Sequence, residues 1–117
     1  MMGYDINYVD EDGNNYELKE HHKAGGNISS VPETSISITY NYAKHYYAFL
    51  DAEKGIRWLY GRKGKDCVKR LKEATKLFEH LEPSDNYWEN TTGNCNHVLK
   101  VLLSWCEEFP EGVFEGD

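Results

Sequence analysis

The stretch Ser35–Leu50, SISITYNYAKHYYAFL, sets a strand pattern directly before a helix pattern. Apolar side chains alternate with serine and threonine along its first six residues, which is the period of a half-buried strand. From Tyr42 to Leu50 the apolar side chains recur at intervals of three and four, which predicts a short helix. Asn41 stands between the two patterns, where it can end the strand and cap the helix. A strand followed at once by a helix is typical of an α+β domain.

The sequence before this stretch predicts a β-hairpin. Tyr4–Val9 alternates apolar and polar side chains, and Asn15–Glu20 can form the returning strand. The loop between them contains Gly13 and Asn14, either of which can take the positive φ that such a turn needs. This acidic loop lacks the ligand spacing of a calcium-binding EF-hand, so we expect no metal there.

The sequence after this stretch predicts a short helical turn and then a long helix. Gly55–Gly61 is typical of a short turn that ends at its last glycine. Apolar residues at helical spacing predict the long helix over Cys67–Leu81. Asp66 is its expected N-cap, and Pro83 is expected to stop it.

A second long helix is predicted over Cys95–Phe109, with Thr92 or Asn94 as its cap. It is apolar on nearly every side, so we expect it to be the central buried helix. The residues after Pro110 are expected to form a docked tail. We therefore predict a single domain over residues 1–117. Its small antiparallel sheet of about three strands, with the N-terminal hairpin, packs on two long and one or two short α-helices.

Composition limits the class of protein. The 117 residues are 39% hydrophobic and carry a formal net charge of -7. No segment approaches the roughly 20 apolar residues of a membrane span, and the N-terminus has no signal-peptide pattern. We expect a cytoplasmic protein that enters no membrane and does not bind nucleic acids generally, because such binding depends on positive charge. Three cysteines without a CxxC pair are expected to be reduced core residues.

Seven of the 13 lysines and arginines lie between residues 57 and 72, a segment that we call the basic island. Its glycine-punctuated loop Gly61–Asp66 precedes the first long helix. The N–H groups in the first turn of a helix attract anions, which favours a phosphate site here. The spacing is not that of a P-loop. The alternative interpretation is an ordinary solvated helix face.

Nine residues near the strand–helix junction, the basic island and the last helix are candidate ligand-binding residues. The candidates for stacking on a base are aromatic: Tyr42, Tyr60 and Trp88. The candidates for holding phosphates are cations: Arg57, Arg62 and Lys65. The candidates for reading polar edges carry amides or an imidazole: Asn41, His45 and Asn94. Aromatic residues at helical spacing also fit ordinary core packing.

No motif predicts a metal, a cofactor or a catalytic group. His45, His80 and His97 fall in no zinc-binding spacing, and no HExxH occurs. There is also no GxSxG and no Cys–His motif. A nucleotide hydrolase or transferase is therefore the last of three interpretations of function.

Four motifs follow one another from Ile38 onward: ITYNY (38–42), GIRxLYGxxG (55–64), YWExTxGN (87–94) and PxGVFxGD (110–117). In order and spacing they resemble a family of small phage- and prophage-encoded proteins of about this length. The resemblance covers most of the chain from Ile38, and the N-terminal hairpin is looser. It implies a small accessory protein in the host cytoplasm, and such proteins often inhibit or sequester components of host defence. It implies no specific activity.

The sequence thus predicts a non-enzymatic protein that sequesters a nucleotide-like, phosphate-bearing host signalling ligand. A homo-oligomer is compatible with this function, because a pocket shared between copies encloses a ligand better than one small domain. The alternative is an acidic inhibitor of a host nucleic-acid-binding or defence protein. Its contact surface would be formed by acids near the C-terminus: Glu107, Glu108, Glu111, Glu115 and Asp117.

Overall fold

The computed structural model describes residues 3–22, 31–78 and 92–116, and it has the α+β fold that the sequence predicts. These residues contain five strands: β1 (Gly3–Val9), β2 (Glu17–His22), β3 (Val31–Glu33), β4 (Ser35–Thr39) and β5 (Val113–Gly116). They contain three α-helices: α1 (Ala43–Phe49), α2 (Gly64–Lys76) and α3 (Thr92–Glu108). Two 3₁₀ turns, Tyr40–Tyr42 and Gly55–Leu59, precede α1 and α2.

The main sheet is antiparallel and has the strand order β4-β1-β5. Its register places Tyr4 opposite Ile38 and Tyr8 opposite Phe114. Strand side chains alternate between faces, so this register collects apolar residues on one face. The buried residues of that face come from all three strands: Tyr4, Ile6, Tyr8, Ile36, Ile38 and Phe114.

The predicted turn between β1 and β2 is present, but β2 leaves the main sheet. The Asp10 carboxylate accepts hydrogen bonds from the backbone N–H groups of Asp12 and Asn14, and Gly13 has a φ of +81°. After a single bridge between Val9 and Asn15, β2 pairs with β3 in a separate two-stranded sheet.

Thr34 explains why β2 separates from β1. Its backbone carbonyl accepts a hydrogen bond from the Tyr8 N–H at 2.9 Å, and its N–H donates to the Tyr16 carbonyl at 3.0 Å. Its buried hydroxyl donates to the Tyr8 carbonyl at 2.5 Å and accepts from the Tyr16 N–H at 2.9 Å. Thr34 therefore takes the backbone groups that β1 and β2 would otherwise exchange.

The C-terminal segment is the third strand of the sheet, a closer association than the docked tail that the sequence predicts. Phe114 is buried against β1. The other edge of β5 is covered by the loop before α2. There the Gly61 N–H donates to the Phe114 carbonyl at 2.7 Å, and the Phe114 N–H donates to the Arg62 carbonyl at 3.1 Å. Strand β5 thus fixes the start of the basic island to the sheet.

Helix α3 is largely buried, as its apolar sequence predicts. Seven of its apolar residues are buried: Cys95, Val98, Leu99, Val101, Leu102, Trp105 and Cys106. The apolar stripe of α2 is buried as well: Cys67, Leu71 and Ala74. Because both stripes follow helical spacing, the two helices can join one core with the buried face of the sheet.

Three predicted helix caps are wrong. Helix α1 follows Tyr42, so Asn41 lies within the 3₁₀ turn and is not the cap. Helix α2 begins at Gly64, which places Asp66 inside its first turn. Asn94 lies inside α3. The predicted end of the long helix near Leu81 is also wrong: α2 ends at Lys76, and the Phe78 N–H donates to the Thr75 carbonyl at 3.2 Å in a tighter closing turn. The predicted stop at Pro83 lies outside the described residues.

The three cysteines are free and buried, as expected. Burial raises the pKa of the Cys67 thiol to about 11 and that of the Cys95 thiol to about 12. The pKa of Cys106 is also raised by burial. These thiols are therefore protonated at neutral pH and serve as core residues.

The Tyr8 side chain fills a slot between two glycines. A Cβ atom on Gly64 would overlap the Tyr8 hydroxyl and would lie 3.1 Å from the Cα atom of Cys106. A Cβ atom on Gly112 would lie 2.5 Å from the Tyr8 ring. The Tyr8 hydroxyl donates a hydrogen bond to the Phe109 carbonyl. Because the ring is fully buried, it cannot swing aside.

Replacement of Gly64 by alanine should destabilise the domain by about 1–3 kcal/mol through overpacking of this slot. Alanine ordinarily stabilises a helix by about 1 kcal/mol relative to glycine. A loss of stability in Gly64→Ala would therefore indicate the steric conflict with Tyr8. Urea unfolding measures the change. Gly13→Ala is the control, since its Cβ would meet nothing within 4 Å and only its φ of +81° opposes the substitution. An unchanged or raised midpoint for Gly64→Ala would contradict the slot.

Candidate functional site

Three of the predicted site residues belong to the core. Tyr42 is 0% exposed, Asn94 is 4% exposed and His45 is 8% exposed. The Tyr42 ring makes an edge contact with Tyr46, at 6.5 Å between ring centres. A ligand base therefore has no open face of Tyr42 on which to stack, which corrects the prediction. Tyr42 and His45 are three residues apart, and both side chains are buried.

The side chains of two predicted site residues lie outside the described part of the structure. Asn41 lies in the first 3₁₀ turn, but its side chain is outside what the structure describes. Trp88 lies entirely outside the described residues. Their predicted roles stay predictions.

His45 packs among aromatic rings. Its ring centre lies 4.9 Å from that of Phe49 and 5.4 Å from that of Phe78. Its Nε2 atom is buried and has no hydrogen-bond partner among the described residues. Burial lowers the pKa of His45, so the imidazole is neutral at pH 7.

Arg57 is held by tyrosines. Its guanidinium carbon lies 4.8 Å from the ring centre of Tyr4 and 5.8 Å from that of Tyr40, and Nη2 donates to the Tyr40 hydroxyl at 3.3 Å. Burial opposes its charge, but the phenols of Tyr4, Tyr40 and Tyr60 raise its pKa on balance. Arg57 and Tyr60 are thus brought together as predicted. Arg57 also packs the junction between the sheet and the second 3₁₀ turn, so its loss would remove packing as well as charge.

The most distinctive feature of the basic island is a stack of two arginines on one indole. The guanidinium carbons of Arg62 and Arg70 each lie 4.0 Å from the ring centre of Trp58. The two arginines therefore share one aromatic partner. The Arg62 Nε atom also donates to the Trp58 carbonyl at 2.7 Å. Cation–π contact and this hydrogen bond hold the plane of Arg62 in place.

Asp51 fixes the second arginine of the stack. One carboxylate oxygen accepts from Arg70 Nη1 at 3.0 Å. The other accepts from the backbone N–H groups of Lys54 at 2.8 Å and Glu53 at 3.2 Å. The hydrogen bond from Lys54 is the main cause of the lowered pKa of Asp51, with the Arg70 contact adding to it. The sequence did not predict Trp58, Arg70 or Asp51 as site residues. The interval of four between Trp58 and Arg62 was the only local indication of the stack.

The predicted phosphate site requires free N–H groups in the first turn of α2, but the first N–H groups of this helix are already bonded. The Gly64 N–H donates to the Gly112 carbonyl at 2.8 Å, and the Lys65 N–H donates to the Pro110 carbonyl at 3.0 Å. The Asp66 N–H donates to the Lys63 carbonyl at 3.0 Å. An anion at this surface must therefore be held by side chains, which corrects the predicted mode of binding.

Acids of this chain neutralise part of the basic island. Glu111 pairs with Lys63 and Lys65 at 3.3 Å each, and Glu107 lies 3.8 Å from Lys72. Arg62 and Lys69 are both exposed and have no carboxylate within 4.0 Å among the described residues. The predicted residues Arg62 and Lys65 are thus both exposed to solvent. We call the stack together with Lys63 and Lys65 the basic face.

A polar cleft of about 440 Å³ lies elsewhere, beside the turn between β1 and β2. None of the nine predicted ligand-binding residues lines it. Its lining is mostly amides and carboxylates: Asn7, Val9, Gly13, Asn14, Asn15, Glu33 and Glu115. Glu33 and Glu115 are exposed and have no cation within 4.0 Å in the described part of the chain.

Comparisons of the chain with protein families, with curated proteins and with solved structures give no match. Within residues 3–22, 31–78 and 92–116, no helix has the length and apolar character to cross a membrane. The same residues contain no group of three His, Cys, Asp or Glu side chains that could hold a metal ion. The basic face and the polar cleft are therefore the features of the structure that bear on function.

The burial of His45 makes stability depend on pH in a defined direction. The folded-state pKa lies below the ordinary value of 6.5, so the unfolded chain binds more protons as the pH falls through that value. The free energy of unfolding should therefore decrease on acidification below pH 6.5, by at most about 1.4 kcal/mol per pH unit from this group. His45→Gln should flatten the profile between pH 6.5 and the range where carboxylates titrate. Equal slopes in the wild type and His45→Gln would contradict the assignment.

Proposed function

We propose that this domain binds a phosphate-bearing, nucleotide-like ligand on the basic face and acts by holding it. The observation that carries the proposal is the Arg62–Trp58–Arg70 stack, in which each guanidinium carbon lies 4.0 Å from the centre of the Trp58 ring. Stacking fixes the plane of a guanidinium and leaves its N–H edge to donate two parallel hydrogen bonds to phosphate oxygens. Contacts with Trp58 and Asp51 already restrict these side chains in the free protein, which lowers the entropic cost of binding.

The charge distribution supports a compact ligand rather than a nucleic acid. The whole chain carries a net charge of -7, so a long polyanion would be repelled outside the basic face. A small phosphate-bearing molecule would contact only the local cations. The outer face of the Arg62 guanidinium can also stack on a base, because planar guanidiniums stack on rings.

Binding without conversion suits the side chains that surround the stack. The carboxylate in contact with the stack, that of Asp51, is already engaged by Arg70 and two backbone N–H groups. The resemblance to small phage-encoded proteins is a separate ground for proposing that the ligand is a host signalling nucleotide and that its sequestration counters host defence.

A thermal-shift panel of mononucleotides, cyclic mono- and dinucleotides and ADP-ribose derivatives tests this proposal. A ligand at about a hundred times its Kd should stabilise the protein by about 2.7 kcal/mol, which raises Tm by several degrees for a domain of this size. Arg62→Gln should abolish the rise, and Arg62→Lys should reduce it, because lysine keeps the charge but loses the planar donor edge. Lys69→Gln is the control, since it removes one exposed charge outside the stack. A flat response across the panel at low salt would overturn the proposal.

The polar cleft favours a second candidate function, recognition of a basic protein. Glu33 and Glu115 offer two exposed carboxylates, and Asn7 and Asn14 offer amide oxygens, which together suit a lysine or arginine side chain of a partner. Glu115 belongs to the acids that the sequence assigns to such a surface.

An oligolysine peptide is the probe for this second function. It should shift the side-chain amide NMR signals of Asn7 and Asn14, and the effect should weaken steeply with salt. Glu33→Gln with Glu115→Gln should remove the shift. Glu53→Gln with Glu73→Gln makes the same charge change outside the cleft and should preserve it. Shifts that are equal in both double variants would show that the cleft is not the binding site.

A further inference from the structure

Lys63, Lys65 and Glu111 form a clamp at the edge of the basic face. Each oxygen of the Glu111 carboxylate faces one ammonium group: Oε2 lies 3.3 Å from Lys63 Nζ and Oε1 lies 3.3 Å from Lys65 Nζ. The Lys63 contact, followed by the Lys65 contact, lowers the pKa of Glu111. Two ammonium groups that hold the two oxygens of one anion present the donor arrangement that two oxygens of a phosphate require.

The backbone builds this clamp independently of the side-chain ion pairs. Lys63 forms a β-bridge with Val113, on the C-terminal side of Glu111. On its N-terminal side, the Pro110 carbonyl accepts the Lys65 N–H at 3.0 Å. Glu111 is thus fixed at both ends to the segment that carries the two lysines. A ligand can displace its side chain without breaking these backbone hydrogen bonds.

We infer that Lys63 and Lys65 form the subsite for a terminal phosphate, and that Glu111 occupies this subsite in the free protein. The inference rests on the proposed function. It adds that the phosphate is a monoester and that Glu111 competes with it for the two lysines. Side chains of the three residues are about half exposed or more, at 50%, 49% and 66%, so the ion pairs are weak enough to exchange. A phosphate monoester carries a charge of about -1.5 to -2 at pH 7 and replaces a single carboxylate favourably. A diester carries a single negative charge, as the Glu111 carboxylate does, so its exchange for Glu111 brings no additional attraction to the two lysines.

Methyl phosphate and dimethyl phosphate are the matched probes, a monoester and a diester without a base. Carbon NMR of the Glu111 carboxyl group reports displacement directly. Methyl phosphate should raise the pKa of Glu111 toward its ordinary value, and dimethyl phosphate should leave it unchanged. Glu111→Gln should bind methyl phosphate about two- to tenfold more tightly than the wild type, as expected for the loss of two exposed ion pairs. Glu108→Gln removes the same charge from an exposed neighbouring position and should change the affinity less than twofold.

The outcomes separate this inference from the proposed function. If nucleotides raise Tm through Arg62 but Glu111→Gln and Glu108→Gln bind methyl phosphate equally, the clamp is overturned and the proposed function stands. If dimethyl phosphate displaces Glu111 as well as methyl phosphate does, the monoester preference is overturned. If neither the nucleotides nor methyl phosphate bind to the wild type or to Glu111→Gln, both are overturned.

Discussion

The fold depends on one buried side chain, the Tyr8 phenol, which extends from the central strand β1 to the end of helix α3. Its ring lies 4.6 Å from that of Phe114 and 6.4 Å from that of Trp105, measured between centres. Burial raises its pKa, so the hydroxyl stays protonated and donates to the Phe109 carbonyl. The close passage of Gly64 and Gly112 brings the start of α2 and the segment before β5 against this ring. One tyrosine thus joins the sheet, both long helices and the C-terminal segment.

This constraint also determines the composition of the basic face. Because Gly64 and Gly112 both pass Tyr8, their neighbours Lys63, Lys65 and Glu111 meet at the surface, although Lys63 and Glu111 are 48 residues apart in sequence. The same approach directs the first N–H groups of α2 to the carbonyls of Pro110 and Gly112. The packing that stabilises the fold therefore removes the helix terminus as an anion site.

Sequence periodicity predicts features that depend on local geometry. The alternation in β1 and β4 and the helical stripes of α2 and α3 are local, and the structure has these elements, although α2 covers Gly64–Lys76 instead of the predicted Cys67–Leu81. The departure of β2 could not be predicted, because it depends on hydrogen bonds between Thr34 and two residues that lie 18 and 26 positions away, Tyr16 and Tyr8. The candidate site shows the same limit. Charge density identifies the basic island, but the contact of Arg70 with Trp58 depends on tertiary packing, and helical spacing does not tell whether His45 faces the core or the solvent.

The acidic composition and the basic island are best understood together. Glu107 and Glu111 lie against Lys72, Lys63 and Lys65, so two of the acids that suggest an acidic contact surface instead balance the island. Such balancing weakens the long-range attraction of polyanions, because paired charges present a smaller field beyond the Debye length of about 8 Å at physiological salt. It has less effect on a ligand that reaches the surface, since an exposed carboxylate exchanges readily for a more highly charged group. A protein of net charge -7 can in this way keep a cationic site that discriminates by contact rather than by attraction at a distance.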